Sequence, residues 1–125
     1  MKDIKFSFED LKIYQKSLDF VDLVYETSET FPKKETYGLS SQFQRAAVSI
    51  SLNIAEGSAD TDKQFNRFLQ TSRDSVNECV VCSTIAYRRK YISHQKNYEL
   101  RLNLEELSKM IIGLQKYLRN KRNLS

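Results

Sequence analysis

Tight turns are scarce in this chain, because its 125 residues include only three glycines and one proline, Pro32. Both residues supply backbone geometries that others reach only at a cost. A chain poor in both is expected to form long regular elements with few connections. It has no tryptophan. No run approaches the roughly 20 consecutive apolar residues that span a bilayer. The opening Met1-Lys2-Asp3-Ile4-Lys5 has no signal-peptide apolar core. The expectation is a cytoplasmic protein without a membrane partner, in which Cys79 and Cys82 stay reduced.

Groups suited to catalysis or metal binding are equally thin. A structural zinc site takes about four ligands, whereas the chain holds two cysteines and the single His94. There is no Glu-x-x-His pair of the kind that builds di-metal sites in bundles, and no Gly-rich phosphate loop. The Cys79-x-x-Cys82 pair falls in mid-helix, whereas a reactive pair needs a helix N-terminus to lower the thiol pKa. At i, i+3 the two Cβ atoms should stand about 5–6 Å apart, wider than the roughly 3.5–4.5 Å of a disulfide. They read as small apolar side chains in or near a core. His94 has no acid or nucleophile near it in sequence and is expected at the surface. The carboxylate pairs Glu9/Asp10, Asp60/Asp62 and Glu105/Glu106 fall mostly at helix starts or exposed positions. These absences point away from an enzyme, with no catalytic residue, no metal and no other cofactor expected.

What the chain does contain is helical periodicity. Its 40% hydrophobic and 29% charged residues suit one folded domain over 1–125, which at this length buries roughly two-thirds of its unfolded surface. Ser7-Phe8-Glu9-Asp10 predicts a helix start, with Ser7 as cap and Phe6 and Leu11 as a hydrophobic staple. Leu11, Tyr14, Leu18, Val21 and Tyr25 then form an inward stripe, and Pro32 ends the helix near residue 30. Ser40 or Ser41 should cap a second helix with core residues Leu39, Phe43, Ala47, Ile50 and Ile54, closed by Gly57. The box Thr61-Asp62-Lys63-Gln64 opens a third, carrying Phe65, Phe68, Leu69, Val76, Cys79, Val80, Ala86 and Tyr87. Ser93 opens a fourth, with Leu100, Leu104, Leu107, Ile111, Leu114 and Leu118. Helices over about 8–30, 40–57, 62–91 and 94–122, joined by short connections, predict an all-α, antiparallel up-down-up-down four-helix bundle.

Two helices carry more apolar surface than one bundle needs. In the first, Ile13, Phe20 and Val24 fall outside the inward stripe. In the second, Val48, Leu52 and Ala55 lie opposite Phe43 and Ile50, beside a polar stripe of Gln42, Arg45, Ser49, Asn53 and Glu56. Contiguous exposed apolar surface usually marks an interface, and most soluble oligomers are homo-oligomers. Ile13, Phe20, Val24, Val48 and Leu52 with that polar stripe are the candidate subunit contact. A solvated face, or hydrogen bonding between helices, is the plainer reading of the stripe.

Charge is divided unevenly along the chain. Residues 1–59 hold 7 Lys+Arg against 9 Asp+Glu, and residues 60–125 hold 13 against 7, so the net +4 comes from the second half. Arg88, Arg89 and Lys90 close the third helix; Lys116, Arg119, Lys121 and Arg122 close the fourth. Cations at helix C-termini are favoured by the dipole, which explains much of the pattern. The same seven residues are the candidate contacts for RNA or DNA. In an antiparallel bundle the two clusters occupy opposite poles, so an oligomer would be needed to multiply a weak phosphate affinity.

The run Phe31-Pro32-Lys33-Lys34-Glu35-Thr36-Tyr37-Gly38-Leu39-Ser40-Ser41-Gln42, with Arg45-Ala46-Ala47-Val48-Ser49-Ile50 and Asn53-Ile54-Ala55-Glu56-Gly57, resembles the bacterial four-helix-bundle family also called 23S rRNA intervening-sequence proteins. Phe8-Glu9-Asp10-Leu11-Lys12, Phe65–Leu69 and the Leu-rich end agree, so the resemblance covers nearly the whole chain. It implies a four-helix bundle and a homopentamer, and brings no established activity. Some members are encoded within insertions in 23S rRNA genes. The architecture is also similar to the accessory protein of diversity-generating retroelements, a basic pentameric barrel that binds nucleic acid and a reverse transcriptase. This chain has Ser51 where the family often has Pro, which removes the basis for a proline kink there. It has Ser72-Arg73-Asp74-Ser75 where Ala-x-Gly-Ser is common, so Asp74 is expected to disturb a close helix crossing. The functional expectation is a non-enzymatic homo-oligomer that binds nucleic acid or acts as an adaptor through its basic helix ends. The alternative is a scaffold whose only partners are proteins.

Overall fold

Four α-helices follow one another in the computed structural model: α1 (Lys12–Ser28), α2 (Leu39–Ser58), α3 (Asp62–Arg88) and α4 (His94–Leu124). The structure describes the backbone of residues 1–124 and the side chains of residues 1–121, and no strand occurs among them. Short 3-10 turns, Ser7–Asp10 and Lys33–Glu35, precede α1 and α2. Side-chain contacts fix the helix directions. Gln44 reaches Ser28 and Ser51 reaches Ser17, so α1 and α2 are antiparallel. Ser72 meets Ile50 and Ser75 meets Ser49 between α2 and α3, and Ser83–Asn97 and Gln115–Asn66 pair α3 with α4. An ion pair from Lys16 to Glu106 closes the ring between α1 and α4. The result is the expected up-down-up-down bundle. None of its described helices is long and apolar enough to cross a membrane.

The core follows the predicted stripes on three helices, except that Tyr87 at the end of the α3 stripe is exposed and Leu39, Phe68, Val80 and Leu114 are half-buried. Phe43, Ala47, Ile50 and Ile54 of α2 are buried, as are Phe65, Leu69, Val76, Cys79 and Ala86 of α3 and Leu100, Leu104, Leu107, Ile111 and Leu118 of α4. On α1 the inward face is the other one. Ile13, Phe20 and Val24 are buried, whereas Leu18 is 40% and Tyr25 42% exposed, and Leu11, Tyr14 and Val21 are half-buried against the core. Ser17, Thr27 and Ser28 share the buried face. Each hydroxyl bonds a carbonyl three or four residues earlier in the helix, and Ser17 also accepts from Ser51 at 2.8 Å. Small self-satisfied hydroxyls can pack inside, and a count of apolar residues alone overlooks them.

Helix ends depart from expectation in similarly local ways. Ser7 does not cap α1: Phe6 N–H donates to Glu9 Oε1 at 2.8 Å, a 3-10 turn follows, and extended Leu11 starts the α-helix proper. Neither Ser40 nor Ser41 caps α2. Gly38 is the N-cap, and the Leu39 N–H donates to Glu35 Oε1 at 3.2 Å. Thr61 and Ser93 cap as expected, accepting from Gln64 N–H at 3.2 Å and Lys96 N–H at 3.0 Å. Helix α3 stops at Arg88 because Lys90 adopts φ 64° and Tyr91 N–H turns back to the Ala86 carbonyl at 2.9 Å. This is the left-handed helix stop usually made by glycine.

Gly57 does not end α2; it lies inside the helix, where α3 begins to pack against it. A methyl group there would meet Phe68 Cβ at 2.6 Å and Phe65 Cδ1 at 2.9 Å. Asp74 is exposed and accepts a bond from Gln70, so it leaves the crossing undisturbed; Ser72 and Ser75 make the contact with α2. Gly113 is the opposite case, with nothing within 4 Å of a built Cβ. Gly57→Ala should therefore cost about 1–3 kcal/mol through overpacking, net of its gain in helix propensity. Gly113→Ala should stabilise by about 0.5–1 kcal/mol. Thermal melts of the two variants that shifted in the same direction would contradict this account of α2–α3 packing.

Candidate functional site

The outer side of α2 is where polar and apolar groups mix. Gln42, Arg45 and Glu56 are exposed, and Val48, Ser49 and Asn53 are half-buried. Leu52 is 54% exposed. Ser49 and Asn53 are partly engaged within the bundle: Ser75 donates to Ser49, and Asn53 Nδ2 donates to the Ser49 carbonyl. Arg45 stands at the junction of two shallow grooves. One runs toward Tyr25 of α1 past Val48 and Leu52, the other toward Tyr37 and Glu78 of α3 past Gln42. Leu18 lies two helical turns from Tyr25, and Val81 and Ile85 lie one and two turns beyond Glu78. Leu18, Tyr25, Leu52, Val81 and Ile85 are all exposed, so apolar side chains lie beside the α2 stripe on α1 and continue the Glu78 face of α3 toward the start of α2. On α1 the exposed apolar residues are Leu18 and Tyr25. Ile13, Phe20 and Val24, proposed from sequence as contact residues, lie in the bundle's own core.

The two basic clusters occupy opposite poles, as the antiparallel order requires. Arg88, Arg89 and Lys90 are exposed at the end of α3. Their surroundings contain Glu35, which links two connections: Tyr91 Oη donates to its Oε2 at 2.7 Å, while Leu39 N–H donates to Oε1. The Tyr91 hydroxyl first, then the Leu39 amide, holds the Glu35 carboxyl below the usual carboxylate range, and the charges of Lys34 and Arg89 add to the effect. At the other pole Lys116, Arg119 and Lys121 are exposed. Lys121 pairs with Asp62 at 3.5 Å. The Arg122 side chain lies outside the described residues.

Arg119 has neighbours that sequence reasoning missed. It faces Lys63 and Arg67 of α3 across a groove of about 280 Å³, lined also by Asn66, Gln70 and Gln115. Only the antiparallel fold brings residues 63–70 beside 115–119. One signal was available in the sequence: Lys63 lies in the first turn of α3, where the helix dipole disfavours cations, and Arg67 follows it one turn later.

The remaining reactive side chains are quiet. Cys79 and Cys82 are both buried and unpaired. Burial pushes the Cys79 thiol upward and Cys82 up to about 11, and the nearby Glu78 carboxylate adds to both shifts. His94, the first residue of α4, is exposed and rests edge-on against Tyr87, with ring centroids 5.9 Å apart. Among the described residues no three His, Cys, Asp or Glu side chains are grouped to hold a metal ion. At pH 8 the folded protein should react with a disulfide reagent roughly 10²-fold more slowly than a free cysteine, reaching the ordinary rate only on unfolding. Rapid labelling of Cys79 or Cys82 in the native state would overturn this assignment.

Similarity to known proteins agrees with this architecture. A protein of unknown function from the S23 ribosomal protein family of Bacteroides thetaiotaomicron VPI-5482 superimposes with a TM-score of 0.77. The two share 22% sequence identity, and the match covers 83% of this chain and 98% of that one. At this identity the likeness speaks for the fold. No curated protein matches the chain. The family model described as 23S rRNA-intervening sequence protein matches residues 9–113. That span includes α1, α2, α3 and most of α4, and the chain belongs to the 23S rRNA-intervening sequence protein family.

Proposed function

We propose that this protein acts without catalysis, as a homo-oligomer whose basic helix ends bind nucleic acid. The observation that carries the reading is the segregation of charge. From Leu107 to Ser125 the sequence has five Lys+Arg and no Asp or Glu, and Arg119 within this stretch stands at the pole where Lys63 and Arg67 also sit. A surface of that kind attracts polyanions through counterion release, an interaction that weakens steeply with salt. Self-association is supported by the apolar residues flanking α2, because contiguous exposed patches usually mark contacts. A homopentamer, as the family resemblance implies, would repeat each basic pole five times and convert a weak site into an avid one.

A protein-only scaffold is the second reading, favoured by the same apolar flanks. In that case Leu18, Tyr25, Leu52, Val81 and Ile85 are the working surface, and the cations serve solubility and the helix dipoles.

Two measurements separate the readings. Light scattering should give a multiple of the 14.7 kDa chain mass, and Leu52→Glu with Val81→Glu should reduce it to the monomer. Fluorescence anisotropy with a labelled RNA should show binding that falls as salt rises. Replacing Arg88, Arg89, Lys90, Arg119, Lys121 and Arg122 together by Gln should weaken it at least about tenfold at 0.1 M salt. Unchanged binding would remove the basic ends from the function. An oligomer with no affinity for RNA or DNA would favour the protein-only scaffold.

A further inference from the structure

We infer that the groove between the start of α3 and the end of α4 seats backbone phosphates of the bound nucleic acid. Lys63, Arg67 and Arg119 are its cations, and buried Gln115 forms its floor. The inference rests on the nucleic-acid reading above and selects one of the two basic poles as the contact site.

Four observations lead there. Lys63, Arg67 and Arg119 converge on one groove from two helices, and no carboxylate lines it. None of the three takes part in an ion pair among the described residues, whereas neighbouring Lys121 is engaged by Asp62. The acidic residues nearest in sequence are otherwise occupied: Asp60 accepts from Thr61 N–H at 2.7 Å, and Asp74 accepts from Gln70 at 3.2 Å.

The groove floor is fixed before any ligand arrives. Gln115 is only 4% exposed. Its Oε1 accepts from Arg73 Nη1 at 3.1 Å, and its Nε2 donates to the Asn66 carbonyl at 3.3 Å. The two walls are thereby held at a set separation, and the cations on them need little rearrangement to meet an anion.

Local folding gives no reason for the two α3 cations. Arg88, Arg89 and Lys90 stand at the C-terminal end of a helix dipole, which favours them, and Glu35 lies close to Arg89. Lys63 stands in the first turn at the opposite end, where the dipole opposes positive charge, and Arg67 one turn further in, where the dipole gives it no support. The α4 half of the groove, Gln115 and Arg119, lies beyond the residues matched by the family model.

The form of the groove selects the ligand. It is open along one side, and none of its lining residues is aromatic, so nothing there would stack a base. A phosphate within a polymer suits it better than a free nucleotide. Arginine matches phosphate oxygens through paired N–H donors, and repetition over an assembly would supply the affinity that one exposed site lacks.

The test compares two triple variants in salt titrations with a labelled single-stranded RNA. All six side chains are exposed, so circular dichroism melts should match the wild type. Lys63→Gln, Arg67→Gln and Arg119→Gln together should weaken binding at least tenfold. They should also flatten the slope of log affinity against log salt by about 2, at roughly 0.7 for each lost contact to a single strand. Arg88→Gln, Arg89→Gln and Lys90→Gln together should leave the slope near the wild-type value. Single Arg67→Gln and Arg119→Gln variants, each lowering the slope by about 0.7, give the same reading should the triple variant fail to fold. Wild-type binding by the groove variant, with loss confined to the other pole, would overturn this site and leave the nucleic-acid function standing. Absence of RNA binding by the wild-type oligomer at low salt would overturn both.

Discussion

Gly57 meets Phe65 and Phe68 with no space for a methyl group, and the rest of the bundle is set from that close approach. With the backbones drawn together at this end, Ser72 reaches the Ile50 carbonyl and Ser75 reaches Ser49. Ala46, Ala47, Cys79 and Cys82 supply further small side chains to the same core. Helix separation follows the size of the side chains at the contact, so α2 and α3 form the tightest pair. Helices α1 and α4 then bring Phe20, Val24, Leu100, Leu104, Leu107 and Ile111 onto them.

The limits of sequence reasoning appear most clearly on α1. Its stripe of Leu11, Tyr14, Leu18, Val21 and Tyr25 is apolar and correctly spaced, yet part of it faces outward. The competing stripe of Ile13, Phe20 and Val24 is shorter in apolar residues but continuous with Ser17, Thr27 and Ser28. Hydroxyls satisfied within their own helix, or by Ser51 across the core, pack as small side chains. Neither periodicity nor hydropathy carries that information. Helix α4 posed no such choice, because its leucine series has no rival face. Thr61 and Ser93 were likewise readable as caps, whereas Glu35 caps α2 from a loop four residues away, a contact that depends on how the turn folds.

The cations divide on the same line between local and nonlocal information. The positive ends of α3 and α4 are visible in the sequence, and the helix dipole accounts for cations at both. The meeting of Lys63 and Arg67 with Arg119 depends on two segments some fifty residues apart lying side by side. A sequence shows where charge is abundant; the fold determines where opposite charge is missing.

Helix lengths have a dynamic consequence. The Lys16–Glu106 pair sets the register of α1 against α4, so α4 passes the start of α1 near Met110 and continues to Leu124. Over that stretch of roughly fourteen residues, or about 21 Å, α4 runs past the first residue of α1, and Gln115 is held there by its bonds to Arg73 and Asn66 of α3. Stability in helical bundles is local, and regions with fewer neighbours open at lower free energy than the four-helix middle. Amide hydrogens of the final α4 turns would therefore exchange ahead of those around Leu104. A polyanion bridging the two helices would slow that exchange, coupling the local stability of this end of the bundle to its occupancy.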